Sequence, residues 1–275
     1  MAGKSAPIGV IDSGVGGLTT VKQLSDLLPG EDIVYCGDNG NAPYGNRTGG
    51  EIVDLTKNML AFLVDHDVKT VAVACNTISS TFDVPAYAGY EAAYGFPVLS
   101  IIRAAAADVA RMRYTSAGVI ATAFTIASGC YDEIIHRLDP GIEVYGEPSR
   151  RLAELIERGD LSSPEIDQEV GAHVAALVQA HAVRDIILGC THYPIVENVF
   201  RRHAPHVAFI NPAKDQARDV RLHLSERGLL QHGAHDVVGG LSIYSSGTEQ
   251  IYRTVLAELG TGRPYTFHQV DFASA

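Results

Sequence analysis

Tryptophan is absent from this chain, and lysine is scarce: the five lysines, at 4, 22, 57, 69 and 214, occupy no motif that suggests a Schiff base. Pyridoxal phosphate is therefore not indicated, and no cofactor is expected. Basic residues number 21 against 32 acidic ones, a formal charge of −11, and they are scattered. A net acidic chain repels the phosphate backbone, so nucleic acid is not an expected partner, and no polybasic stretch suits a membrane surface. No apolar run approaches the roughly 18 residues needed to span a bilayer, and the opening residues 1–14 lack the apolar core of a secretion signal. A soluble, cytoplasmic protein is the expectation. Cysteine occurs four times, at 36, 75, 130 and 190, with no C-x-x-C pair, so reduced thiols are expected rather than a disulfide framework. His203 with His206 and His232 with His235 have H-x-x-H spacing, but no cysteine or carboxylate set completes a site; a solvated surface is expected, and no metal.

The chain is nevertheless rich enough in apolar residues to fold: 46% are hydrophobic and 19% charged, over 275 residues that fit one large domain or two ordinary ones. Short β-branched runs at 8–11, 32–36, 70–74, 97–99, 117–121, 142–145, 185–188 and 207–210 alternate with helix-length intervals. In one interval Ile52, Leu55, Met59, Leu60 and Leu63 recur at helical spacing, and the Ala-rich segment 101–112 repeats the pattern. Such alternation predicts an α/β fold with mostly parallel sheets flanked by helices.

The chain also repeats itself loosely. Gly9-Val10-Ile11-Asp12-Ser13 is answered 109 residues later by Gly118-Val119-Ile120-Ala121-Thr122, and Val71-Ala72-Val73-Ala74-Cys75-Asn76-Thr77 is answered at an offset of 115 by Ile186-Ile187-Leu188-Gly189-Cys190-Thr191-His192. Two similar offsets predict two pseudo-symmetric domains: a discontinuous first one over 1–98 plus 210–275, and a second over 99–209. Ligands of parallel sheets bind outside the carboxyl ends of the strands, where all four matching segments end. Ser13, Thr122, Cys75 and Cys190 would then meet in the cleft between the domains.

Asp12-Ser13-Gly14-Val15-Gly16-Gly17 follows the first strand and opens a helix, so its N–H groups could hold an anion. A dinucleotide loop would need its third glycine at position 19, which is Thr, and no Gly-Lys-Ser/Thr occurs, so a carboxylate or phosphate fits better than NAD or ATP. The plainer reading is a helix N-cap by Asp12 or Ser13. The segment Gly37-Asp38-Asn39-Gly40-Asn41-Ala42-Pro43-Tyr44-Gly45 reads as a binding loop or an ordinary surface turn. Cys75 and Cys190 each follow an apolar strand, where a helix N-terminus would lower a thiol pKa. Either alone reads as a buried structural cysteine. Paired across one cleft, they could remove a proton from one side of a carbon and return one to the other, inverting a stereocentre. Asp12 and His192 are the neighbours able to shuttle those protons. Cys36 and Cys130 have no counterpart in the repeat and read as structural.

With these residues in view, the chain resembles the cofactor-independent glutamate racemases of the aspartate/glutamate racemase superfamily over about its first 230 residues. Ile8 to Thr19, Pro43-Tyr44-Gly45, Ala74-Cys75-Asn76-Thr77 and Gly189-Cys190-Thr191-His192-Tyr193-Pro194 carry the resemblance, in order and spacing. It implies a bacterial enzyme that interconverts L- and D-glutamate and supplies D-glutamate for peptidoglycan. It further implies that Cys75 takes the α-proton of the D-isomer and Cys190 that of the L-isomer, assisted by Asp12 and His192. Asp12, Ser13, Pro43, Tyr44, Gly45, Asn76, Thr77, Thr122, Thr191 and His192 would hold the substrate. The family's helper glutamate, aligned back from Gly159, falls on Glu157, within a segment Gly146 to Glu157 whose Arg150 and Arg151 replace the usual apolar run. The alternatives are a racemase of aspartate or another small acid, and, more remotely, a two-lobed protein that binds an anionic metabolite without chemistry. A homodimer is left open.

Overall fold

A computed structural model describes residues 3–82, 84–231 and 238–274; His232 and His235 lie outside the described residues. The eight apolar runs are strands β1 (Ile8–Asp12), β2 (Ile33–Gly37), β3 (Thr70–Val73), β4 (Val98–Ser100), β5 (Ser116–Thr122), β6 (Glu143–Ser149), β7 (Asp185–Gly189) and β8 (Ala208–Ile210). Two more follow beyond those eight runs, β9 (Leu241–Ser245) and β10 (Tyr265–Gln269). Every described pairing is parallel. One sheet runs β10-β9-β2-β1-β3-β4 and the other β6-β5-β7-β8. The order 2-1-3-4 of the first sheet is thus repeated as 6-5-7-8 in the second. The repeat read from the sequence pairs β1 with β5 and β3 with β7, and the topology makes the same equivalence.

Helices fill the intervals: α1 (Leu18–Leu27), α2 (Gly49–Val64), α3 (Asn76–Ser79), α4 (Val84–Tyr94), α5 (Ile101–Met112) and α6 (Ala123–Ala127) in the first half. In the second half come α7 (Cys130–Leu138), α8 (Leu152–Glu157), α9 (Pro164–His181), α10 (Glu197–His203), α11 (Pro212–Glu226) and α12 (Glu249–Glu258). The apolar stripe of α2 is its buried face, with Ile52, Met59, Leu60 and Leu63 inaccessible to solvent. Helix α5 spans the predicted segment, started by Ser100, whose hydroxyl accepts from the Arg103 N–H. The chain passes from the first sheet to the second through α5 and returns after β8 through α11. Among the described residues no helix is long and apolar enough to cross a membrane.

At the amino ends of the strands a buried ion pair ties distant segments together. Lys69 and Glu31, with side chains 0% and 2% exposed, face each other. Lys69 Nζ also donates to the carbonyls of Lys4 and Leu229, while Glu31 Oε1 accepts from the Gln231 N–H at 2.8 Å. Removing one partner strands a charge away from water. Lys69→Met is expected to cost about 3–5 kcal/mol of unfolding free energy, to be read from urea denaturation; a loss below about 1 kcal/mol would contradict the role assigned to the pair.

Candidate active site

The carboxyl ends of β1, β2 and β3 face those of β5 and β7 across a cavity of about 220 Å³. From the first sheet it is lined by Ser13, Asn39, the stretch Ala42 to Gly45, and Cys75, Asn76 and Thr77. From the second come Thr122, Ala153, Glu154, Glu157, Arg158, Cys190, Thr191 and His192. Every residue nominated from the sequence lines this cavity except Asp12, which sits fully buried behind it and reaches across to Thr191. The sequence does not single out Asn39, Ala42, Ala153, Glu154 or Arg158; of these, Asn39 and Ala42 lie in the segment read as a binding loop.

The two cysteines occupy equivalent places, two residues beyond the last residue of β3 and one beyond that of β7, and both are buried. Cys75 caps the single turn of α3. Its sulfur accepts from the Ile78 N–H at 3.5 Å, and its thiol donates to Ser13 Oγ at 3.6 Å. The expected lowering of this thiol by a helix N-terminus is not what the structure shows. Burial pushes Cys75 up to about 12, the nearby Asp12 charge adds to the rise, and the Ile78 and Ser13 hydrogen bonds recover only part of it. A four-residue helix has too little dipole to offset desolvation. Burial therefore favours the thiol form of Cys75.

Cys190 faces a different environment. His192 Nδ1 lies 3.6 Å from its sulfur, and His192 Nε2 hydrogen-bonds Glu157. Burial alone would depress the imidazole, but hydrogen bonds to Cys190 and Glu157, and the charges of both, outweigh it and hold His192 well above its ordinary value. Both ring nitrogens have acceptors, so the imidazolium satisfies both. Asp12 is raised to about 6: burial dominates, and the His192 charge, the Gly14 N–H and the Thr191 hydroxyl offset part of it.

The glycine loop does not offer the free anion cradle expected of it. Gly14 N–H donates to Asp12 Oδ1 at 3.0 Å, and Val15 N–H to Glu157 Oε2 at 3.4 Å. The carboxylates it holds are the protein's own. Nor does Asp12 or Ser13 cap α1, which starts at Leu18 behind Gly17 with no side-chain cap. The glycines serve close approach instead. A Cβ on Gly14 would meet the Glu157 carboxylate at 2.7 Å, and one on Gly16 would collide with Thr191 and His192.

Donors for a ligand remain elsewhere. Asn76, 2% exposed, accepts from the Tyr131 hydroxyl at 2.7 Å, while its Nδ2 is buried with no partner among the described residues. A cluster of hydroxyls, Thr77, Thr122 and Thr125, links the two halves at 2.9–3.4 Å. The Tyr44 hydroxyl is engaged by Asp38 at 2.6 Å, so Tyr44 walls the cavity with its ring rather than its oxygen. Arg151 is turned to Glu165 and Glu169 on α9, and neither it nor Arg150 lines the cavity. His203 pairs with Asp167. Among the described residues no group of three or more His, Cys, Asp or Glu could hold a metal ion.

The Asp/Glu/Hydantoin racemase family model matches residues 8–219. The glutamate racemase of Limosilactobacillus fermentum is 34% identical over 243 residues, 88% of each chain. That of Neisseria gonorrhoeae is 34% identical over 273 residues, 99% of this chain and 98% of its own. Among solved structures, glutamate racemase from Francisella tularensis in complex with D-glutamate superposes with a TM-score of 0.86 at 31% identity, covering 99% of this chain and 100% of that one.

Proposed function

The chain belongs to the Asp/Glu/hydantoin racemase family, and from that premise we propose that it interconverts L- and D-glutamate by a two-thiol proton transfer that needs no cofactor. The observation that carries the reading is the pair of buried thiols, Cys75 and Cys190, lining one small cavity from equivalent strands of two repeated sheets. Glutamate is preferred over other acids because the relatives named above are glutamate racemases. The role that follows is supply of D-glutamate for peptidoglycan in the cytoplasm.

An amino-acid α-carbon is a weak acid, and its anion survives only where the adjoining carboxylate is well supplied with donors. The unpartnered Asn76 Nδ2 and the Thr77 and Thr122 hydroxyls are suited to that task. Inversion requires one sulfur to start as thiolate and the other as thiol, with roles exchanged at each turnover. Cys75 serves the D-isomer and Cys190 the L-isomer. Asp12 supports Cys75, compensating the substrate's ammonium and relaying the thiol's proton; the imidazolium of His192, backed by Glu157, exchanges a proton with Cys190. The cation brought by the substrate offsets the desolvation that favours protonated Cys75.

Chiral analysis of the purified, reduced protein with D-glutamate, and separately with D-aspartate, tests the assignment: L-glutamate should accumulate far faster than L-aspartate. Preference for aspartate would overturn the substrate; no inversion of either acid would overturn the activity. A pH dependence follows from Asp12. As kcat/KM reports groups of the free enzyme, it should rise with pH through an acid limb near 6, where Asp12 becomes the carboxylate, and level off above. Asp12→Asn should lower the plateau and abolish this limb; a wild-type limb that persists in the variant would assign it elsewhere.

A further inference from the structure

Glu157 is held from a direction that the racemase chemistry does not explain. Its Oε2 meets His192 and the Val15 N–H, while its Oε1 accepts from the side-chain amide of Asn39. That amide is itself fixed. Its Oδ1 accepts from Ser245 Oγ at 2.9 Å and from the Tyr252 hydroxyl. Two hydroxyl donors on the oxygen leave Nδ2 facing Glu157, so the amide has one orientation. Ser245 ends β9 and is fully buried; its oxygen also accepts from the Gly247 N–H at 2.9 Å. Tyr252 is fully buried on α12, edge-on to Tyr35 at 6.0 Å between ring centroids. A Cβ on Gly37 would strike the Tyr252 hydroxyl, and one on Gly247 would lie 2.6 Å from Asn39 Cβ, so both glycines make room for this contact.

Ser245 and Tyr252 lie beyond residue 219, where the match to the family model ends. The hydrogen-bonded line runs from them through Asn39 and Glu157 to His192 and Cys190, while Cys75 and Asp12 lie off it. We propose that Asn39, locked by Ser245 and Tyr252, is a positioning residue for Glu157, so that the C-terminal segment governs proton transfer at Cys190 and not at Cys75. The proposal rests on the two-thiol reading given above.

Overall rates cannot separate the two thiols. The equilibrium constant of a racemization is one, so kcat/KM falls equally in both directions whichever proton transfer is impaired. The α-deuterium isotope effect on kcat/KM does separate them. If transfer at Cys190 becomes slower, removal of deuterium from L-[2-²H]glutamate becomes more rate-limiting and its isotope effect grows. Removal from D-[2-²H]glutamate, at Cys75, becomes less so and its isotope effect shrinks.

The variants are Asn39→Ala and Tyr252→Phe, the second keeping the buried ring in place. Each should lower kcat/KM, by about tenfold or more for Asn39→Ala, as expected for a displaced catalytic group, with the isotope effects moving in opposite senses. Equal isotope effects, unchanged from wild type, with rates lowered or not, would overturn the proposal while leaving the two-thiol reading intact. Failure of the wild-type protein itself to release the α-deuterium of either isomer would overturn that reading, and the proposal with it.

Discussion

Cys75→Ala and Cys190→Ala should each reduce racemization by about a thousandfold or more while leaving the fold in place, since general acid–base catalysis by a positioned group is typically worth 10²–10⁴-fold and inversion needs one group on each face. Both side chains are small and buried, so removal of a sulfur leaves only a small void; a modest loss of stability is the expected structural cost. The more telling result is partial chemistry. With Cys190 gone, Cys75 can still take the α-proton of D-glutamate and return one to the same face, so deuterium should enter D-glutamate without inversion, and L-glutamate should stay unlabelled. Cys75→Ala should show the mirror image. Proton NMR in deuterium oxide reads both. Near-normal turnover by either variant would remove the basis of the mechanism.

Gly16→Ala should be nearly as damaging, with a loss in kcat/KM of about a hundredfold, although position 16 carries no functional group. Its added methyl collides with Thr191 and the His192 ring. Thr191 Oγ1 holds Asp12 at 3.0 Å, and His192 stands between Cys190 and Glu157. The methyl therefore pushes apart the loops on which both thiols depend, and a displacement of about 1 Å at a reacting centre costs on the order of 10²-fold. Gly50→Ala is the control: it lies in the first turn of α2, and a Cβ there meets nothing within 4 Å among the described residues. Thermal denaturation should show both variants folded, with steady-state kinetics altered only in Gly16→Ala. Full activity in that variant would mean that the close approach of the two halves is not needed for turnover.

The fold was legible because its signals are local. A strand buried on both faces must be a continuous apolar run, and β1, β3 and β7 are read in that way. The repeat was legible because equivalent strands end on residues that line one cavity. Edge strand β10, Tyr265–Gln269, was not read: it is half solvated, and its alternating pattern lacks an apolar run. In the site, the thiols and His192 stood out by residue type and place. The fate of the glycine loop did not, because the carboxylate that takes the Val15 N–H comes from Glu157, 142 residues away. Asn39 lay in a loop whose polar composition suits any turn, and its partners Ser245 and Tyr252 are more than 200 residues distant. Nor does sequence convey desolvation: the residues after Cys75 suggest a helix start that would acidify it, whereas the packing around it does the opposite.

The central claim is tested most directly by incubating the wild-type protein, reduced and without added cofactor, with D-glutamate in deuterium oxide, and following the α-proton by NMR alongside chiral analysis. A two-thiol racemase delivers the new proton from the thiol opposite the one that took the old. L-glutamate should therefore appear already carrying deuterium at the α-carbon from the earliest turnovers, as the protonated D-isomer disappears. An α-proton signal that persists in the presence of folded, reduced protein, or L-glutamate that forms with the original proton retained, would contradict the account.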